Sequence, residues 1–304
     1  MRKVTDYPFT MSGSPRDSLA RDSTCRIPLQ DGSTARRDGL ATVRDTQHFA
    51  ERTVVCPCVY KRQPLYFPGH LHGEVLRSEG DTDLIERWVV DGGAVRGWRV
   101  RRGLDADALR ITFEHDRPQP PLTRMLGEWT IEARGDAGSA VSVRHTFTAD
   151  GDDPGVLAGV AAGLDRAVPR QLGQTAQIAE DLPGLRRRTV RQVLSETVDA
   201  DLPAVYKVLL DAAADSAGRF AHTGLPDTVV VYKQISGLDP RFATVTGQFR
   251  LSDTPAGVTV KAVRSVVLSP APAGPEDPAA VRDELAASLA TTLRGLRAGR
   301  ATLD

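Results

Sequence analysis

The chain has 304 residues and 39 basic against 39 acidic side chains, for a formal net charge of zero. That length is enough for two ordinary domains, each with its own core, and the charge balance excludes a global attraction to nucleic acid or an anionic membrane. No apolar run approaches the ~20 residues of a membrane span, and the Arg/Asp-rich start lacks the apolar stretch of a signal peptide, so a cytoplasmic protein is expected.

Residues 1–51 are rich in Ser, Arg, Asp, Thr and Gly and show no sustained period. Such a segment buries too little apolar surface to offset its ordering entropy and is expected to be disordered or unrelated to the rest of the chain. Arg52-Thr53-Val54-Val55-Cys56 reads as a short strand stopped by Pro57. Cys25, Cys56 and Cys58 are odd in number and lack a Cys-x-x-Cys pair or a second ligand pair, so neither a disulfide framework nor a metal site is expected.

From His70 the pattern becomes regular. Residues 72–78, 83–90, 94–102, 109–115, 124–133 and 140–148 read as successive strands separated by Gly, Asp and Pro, spacings that make antiparallel neighbours. A long helix follows to about Ala179, preceded by acidic residues that suit its dipole. After Leu182-Pro183-Gly184, residues 189–198 alternate like a strand, and Asp201 can cap a helix with Val205, Leu209 and Leu210 on one face. Residues 229–235, 244–251 and 257–268 read as strands. The last helix starts near Asp277 with a stripe of Val281, Leu285, Leu289, Leu293 and Leu296.

An internal repeat is visible. Residues 109–179 and 228–303 both read strand, strand, strand, long helix, with Gly127-Glu128-Trp129 against Gly247-Gln248-Phe249 and Arg144 against Arg264. The pattern predicts an α+β fold with domains at 52–184 and 185–304.

Strand alternation places Arg96, Trp98, Val100 and Arg102 on one face, and Met125, Gly127 and Trp129 on one face of another strand. The run from Trp98 to Asp105, followed by Met125-Leu126-Gly127-Glu128-Trp129, resembles the aromatase/cyclases of bacterial type II polyketide synthesis, of the START-like, helix-grip superfamily. The resemblance spans residues 64–304 and implies tandem helix-grip domains, each a curved antiparallel sheet around a long C-terminal helix. Both are expected to be truncated, the first in its opening helix and the second between Arg219 and Asp227.

The resemblance further implies cyclisation and aromatisation of the first ring of a poly-β-ketone carried on an acyl carrier protein, alongside other type II synthase subunits. Arg102 stands at the family's pocket arginine, where a permanently charged guanidinium stabilises an enolate or alkoxide; the alternative is an edge-strand arginine reaching water. Trp98, Trp129, Phe67 and Met125 are the implied apolar walls, against ordinary core packing. In the second repeat Val230, Tyr232 and Gln234 share a strand face, with Phe249 on the matching strand; Tyr232 and Gln234 can hydrogen-bond a carbonyl, the alternative being a buried tyrosine with a partner. Three departures weaken catalysis: Val100 replaces a serine, Gln63 a tryptophan, and Arg170 stands near an asparagine position; Val100, Gln63 and the truncated strands favour a START-like binding protein for an apolar or aromatic ligand. His115 and His145 can titrate near neutrality, but a lone histidine is more often a surface or hydrogen-bonded residue. Arg99, Arg101 and Arg186-Arg187-Arg188 can meet an acidic carrier or simply be solvated. No phosphate loop, dinucleotide fingerprint or metalloprotease helix is present, so no cofactor is implied.

Overall fold

The computed structural model describes residues 34–43, 63–133, 139–150, 153–215, 218–270 and 277–303. The architecture is α+β, with two antiparallel sheets and a long helix after each. The first sheet holds β1 (Thr34–Val43), β2 (His70–Glu79), β3 (Thr82–Asp91), β4 (Ala94–Asp105), β5 (Arg110–His115), β6 (Leu122–Ala133) and β7 (Ser139–Ala149), in the spatial order β1-β7-β6-β5-β4-β3-β2. The second holds β8 (Thr189–Val198), β9 (Phe220–Leu225), β10 (Val229–Gln234), β11 (Phe242–Thr254) and β12 (Gly257–Leu268), in the order β8-β12-β11-β10-β9. Helices are α1 (Gln63–Tyr66), α2 (Pro154–Glu180), α3 (Leu182–Arg188), α4 (Leu202–Asp215) and α5 (Pro278–Arg297).

The two long helices start in the same way. Asp153 accepts a hydrogen bond from the Gly155 amide at 2.7 Å, and Asp277 one from the Ala279 amide at 2.9 Å, with proline in the first turn of each helix. Each cap satisfies an otherwise orphan N–H and contributes about 1 kcal/mol. Below α2, alternate residues of β6 and β7 form the core: Ile131, Val141 and Val143 meet Val168, Leu172 and Ala179, while Met125, Phe147 and Ala149 meet Leu157 and Ala161. Below α5, Val260, Ala262, Phe249 and Leu251 meet Leu289 and Leu293, while Val190, Val245 and Val266 meet Val281 and Leu285.

Three expectations change. Residues 34–43, expected without regular structure, form β1 and pair along their whole length with β7, from Thr34 opposite Thr148 to Val43 opposite Ser139. A strand fixed by ladder hydrogen bonds at a sheet edge needs little hydrophobic period of its own. The first sheet therefore has seven strands. In the second repeat, the stretch between Arg219 and Asp227 supplies one strand, β9; its period is broken by Gly224, where a Cβ would fall 2.6 Å from the Tyr206 hydroxyl. The strand expected at 52–56, and all three cysteines, lie outside the described residues.

The third change is register. Arg144 pairs with Glu128 and forms an exposed salt bridge with it, whereas Arg264 lies opposite Gly247. The residue opposite Gly127 is His145, so the repeat aligns His145, not Arg144, with Arg264. A one-residue slip moves a side chain to the other face of a sheet.

The described residues divide into two compact units that do not follow one cut: the first holds residues 34–43, Glu74–Arg87 and the described part of 98–182, the second residues 63–73, Trp88–Gly97 and the described part of 183–303. In the second unit, Leu71 and Trp88 cover Ala221, Val229 and Val231 on the face of the sheet away from α5. Lys233 ends on the same face. Its buried ammonium donates to the carbonyls of Pro64, Phe67 and His70 at 2.7, 2.8 and 3.0 Å, fastening the turn after α1 to β10.

Burial lowers the Lys233 pKa to about 7. Between that value and the ordinary lysine value the unfolded chain binds more protons than the folded one, so this group makes stability rise with pH over the window. Lys233→Met is expected to flatten the rise of melting temperature between about pH 7 and 10 relative to the parent; parallel slopes for the two proteins would show that Lys233 does not titrate there.

Candidate functional site

The inward face of the first sheet carries one polar row through an apolar surround. Cross-strand pairing sets Arg102 of β4 opposite Phe113 of β5, Phe113 opposite Gly127 of β6, and Gly127 opposite His145 of β7. The glycine is what lets the row form. A Cβ on Gly127 would fall 2.6 Å from Phe113 Cζ and 1.9 Å from the Arg144 carbonyl oxygen, so any side chain there would displace the ring or the neighbouring strand. The row sits where the apolar packing under α2 divides into its two clusters.

Arg102 does not reach bulk water. Its side chain is 6% exposed and donates through Nε and Nη2 to the Asp83 carboxylate at 2.8 and 2.5 Å, with Asp83 0% exposed. Two parallel bonds fix both the position and the plane of the guanidinium. Val100, on the same face between Trp98 and Arg102, is buried against Ile85 and places a methyl group where the resembling family has a hydroxyl. Trp98 packs on this cluster and stacks on His115 with ring centroids 6.0 Å apart, and the Arg87 guanidinium lies over the same indole at 5.1 Å. Phe113 meets His145 edge-on at 5.2 Å.

Both histidines are held neutral. Burial lowers the His115 pKa to about 4, assisted by the charge on Arg87; burial does the same for His145, with smaller contributions from His115 and Arg87. The His145 ring is half-buried, and among the described residues its buried Nδ1 has no hydrogen-bonding partner. Neutral imidazoles beside a fixed guanidinium can accept a proton from a carbon acid while the cation stabilises the resulting oxyanion.

The other sequence-selected residues scatter. Trp129 is half-buried and packs against Val168 and Leu172 under the second half of α2, next to Phe113. Met125 is buried among Phe147, Leu157 and Ala161. Phe67 belongs to the second compact unit, where it stacks on His70 at 5.1 Å. Tyr232 and Phe249 stack on one another at 5.8 Å inside the second core, each 1% exposed. Gln234 donates to the carbonyls of Ser236 and Gly237 at 3.2 and 2.8 Å, bracing the turn after β10. Arg170 is exposed on α2, and among the described residues the buried Oε1 of Gln63 has no partner.

Thus the first unit brings Arg102, Trp98, Trp129, His115 and His145 onto one partly accessible face, while the second buries its counterparts. Asp83, Arg87 and Phe113 were missed by sequence reasoning. Their signal was the alternation Asp83, Ile85, Arg87, which places two charged residues on the inward side of a strand. Among the described residues no group of His, Cys, Asp or Glu is arranged to hold a metal ion, and no helix is long and apolar enough to cross a membrane.

No family model matches the chain. It is 35% identical over 119 residues to the granaticin polyketide synthase bifunctional cyclase/dehydratase of Streptomyces violaceoruber, 39% of this chain and 37% of that protein. It is also 35% identical over 117 residues to the actinorhodin polyketide synthase bifunctional cyclase/dehydratase of Streptomyces coelicolor, 38% of this chain and 36% of that protein. The match thus spans little more than a third of the length of these relatives. Among solved structures, the di-domain ARO/CYC StfQ from the steffimycin biosynthetic pathway superposes with a TM-score of 0.68 at 22% identity, covering 88% of this chain and 98% of that one. The di-domain ARO/CYC BexL from the BE-7585A pathway gives 0.65 at 23% identity, covering 88% and 96%. The chain therefore has the helix-grip fold of the di-domain aromatase/cyclases and resembles the polyketide synthase cyclase/dehydratases in sequence.

Proposed function

We propose that the chain is a polyketide aromatase/cyclase that closes the first six-membered ring of a poly-β-ketone by intramolecular aldol condensation and promotes loss of water. The observation that carries this reading is the polar row of the first unit: a guanidinium locked by Asp83, two neutral imidazoles and two tryptophans on one partly accessible face. Each has a task. Trp98 and Trp129 hold the flexible chain in a turn that brings its reacting carbons together, which can supply much of the barrier reduction when both belong to one molecule. His145, or His115 beside it, takes a proton from a methylene flanked by two ketones. Arg102 stabilises the enolate oxygen that results. The enolate carbon then bonds to the second carbonyl carbon, whose oxygen takes a proton, and elimination of that hydroxyl with a neighbouring hydrogen releases water.

The substrate in this proposal arrives on an acyl carrier protein supplied by a type II synthase, and the work is cytoplasmic. The two START-like repeats meet near residue 184, and only the first is assigned chemistry. Wall roles for Met125 and Phe67, and ligand contacts for Tyr232, Gln234 and Phe249, are secondary because all but Phe67 are buried in packing or turn bonds and Phe67 lies in the other unit.

A second reading is favoured by Val100 and by the Asp83 carboxylate already engaging Arg102: a START-like protein that binds an aromatic or apolar ligand without turning it over. Reconstitution with a minimal synthase separates the two. The parent is expected to shift products toward the aromatised first ring; Arg102→Ala and Asp83→Asn are expected to return them to the spontaneous mixture. His145→Gln is expected to lower the rate by about a hundredfold or more while leaving ligand retention intact, as loss of a general base does. A parent that retains ligand in native mass spectrometry but leaves the spontaneous product mixture unchanged would establish binding alone.

The histidines also give a pH prediction. Their folded pKa near 4 lies below the unfolded value of about 6.5, so the unfolded chain takes up protons first and stability is lost as pH falls from about 6.5 to 4. His145→Gln is expected to reduce that acid loss in melting curves; an unchanged acid limb would show that His145 is not held neutral by the fold.

A further inference from the structure

The inward face of the first sheet carries a second arginine, on the strand beside that of Arg102. The contacts of Asp83 with Arg102, Ile85 with Val100 and Glu86 with Arg99 fix how β3 lies along β4, and the same alignment continued by one residue brings Arg87 opposite Trp98. Alternation from Asp83 and Ile85 turns Arg87 inward with them. Its guanidinium lies over the Trp98 ring at 5.1 Å, an arrangement that suits the flat arginine head better than any other cation.

β4 runs between β3 and β5, so Trp98 is approached from both flanking strands. Arg87 meets the indole from β3, and His115 stacks on it from β5 at 6.0 Å with the planes 23° apart. An indole turns about two side-chain bonds, and a partner on each flank removes that freedom. All three residues are half-buried, so the ring stays within reach of a ligand while its plane is held. The two inward arginines therefore differ in what orients them: two bonds to Asp83 set the plane of Arg102, whereas Arg87 is seated on the aromatic wall itself. The Arg87 charge also reaches along the face. Burial is the main reason that His115 and His145 stay neutral, and this cation adds to it at both.

We infer that Arg87 is a positioning residue of the first unit: by seating Trp98 against His115 it fixes the plane on which a bound chain lies, and so selects which methylene of that chain meets the histidines. The selection rests on the proposed cyclisation, whereas the seating does not, and the two are read by different measurements.

Fluorine-labelled tryptophan gives the full-length protein three signals, from Trp88, Trp98 and Trp129, and that of Trp98 is identified by its loss in Trp98→Phe. Arg87→Met is expected to move and broaden the Trp98 signal while that of Trp129 holds. Arg87→Lys keeps a cation over the ring and is expected to restore most of the parent position, a rescue that a merely space-filling role would not give. In reconstitution with a minimal synthase, Arg87→Met is expected to lower the ratio of directed first-ring product to spontaneous mixture by about two- to fivefold, the factor that a half-exposed cation–π contact supplies, with Arg87→Lys close to the parent. A Trp98 signal unmoved by Arg87→Met would overturn the seating. A moved signal with an unchanged product ratio would overturn the selection. A parent that itself leaves the spontaneous mixture unchanged would be a failure of the cyclisation, with the moved signal still supporting the seating. Should Arg87→Met fail to fold, the parent decides: the Arg87 side-chain protons are expected at positions shifted upfield by the Trp98 ring, and ordinary positions would overturn the seating.

Discussion

Both halves of the molecule depend on a glycine that lets an aromatic ring lie flat across a strand. Gly127 under Phe113 and Gly247 under Tyr232 leave no room for even a methyl group. Each therefore fixes the height at which a ring crosses the inward face, and each stands beside a nitrogen-bearing side chain on the next strand, His145 or Arg264. Packing density forbids adjusting this by small shifts, so the position of the polar row along the helix is set by backbone contact rather than by side-chain preference.

Within that shared frame the two repeats divide the charges differently. The first pairs its buried cation, Arg102 with Asp83, and keeps its histidines neutral and partly accessible. The second leaves Arg264 without a carboxylate among the described residues and closes Tyr232 and Phe249 into the core. A low-dielectric interior magnifies such differences. The same scaffold thus holds two electrostatic arrangements one fold-length apart in the sequence.

Much of this was legible in the residues. Alternation located nearly every strand from His70 onward, and the stripes and capping aspartates located both long helices, because these elements bury one face and their periods survive in the sequence. β1 was hidden because its pairing is a backbone matter. β9 was hidden because Gly224 interrupts its period under Tyr206. Trp98, Arg102 and Trp129 could be read from alternation and family resemblance together. Asp83 could not be joined to Arg102, since their pairing spans two strands and depends on sheet order, and the off-by-one match of Arg144 to Arg264 concealed the place of His145 opposite Gly127 until the registers were fixed.

The fastening of the turn after α1 bears on how the polypeptide can be dissected. Leu71 and Trp88, encoded well before the second repeat, cover Val229 and Val231, and Lys233 is saturated by three carbonyls from the same early stretch. Cutting the gene at the repeat boundary would strip that cover, leaving a greasy β-surface and a lysine forced to find new acceptors. The later half is in this sense finished by its predecessor's residues, and fragments intended to isolate it must carry them along.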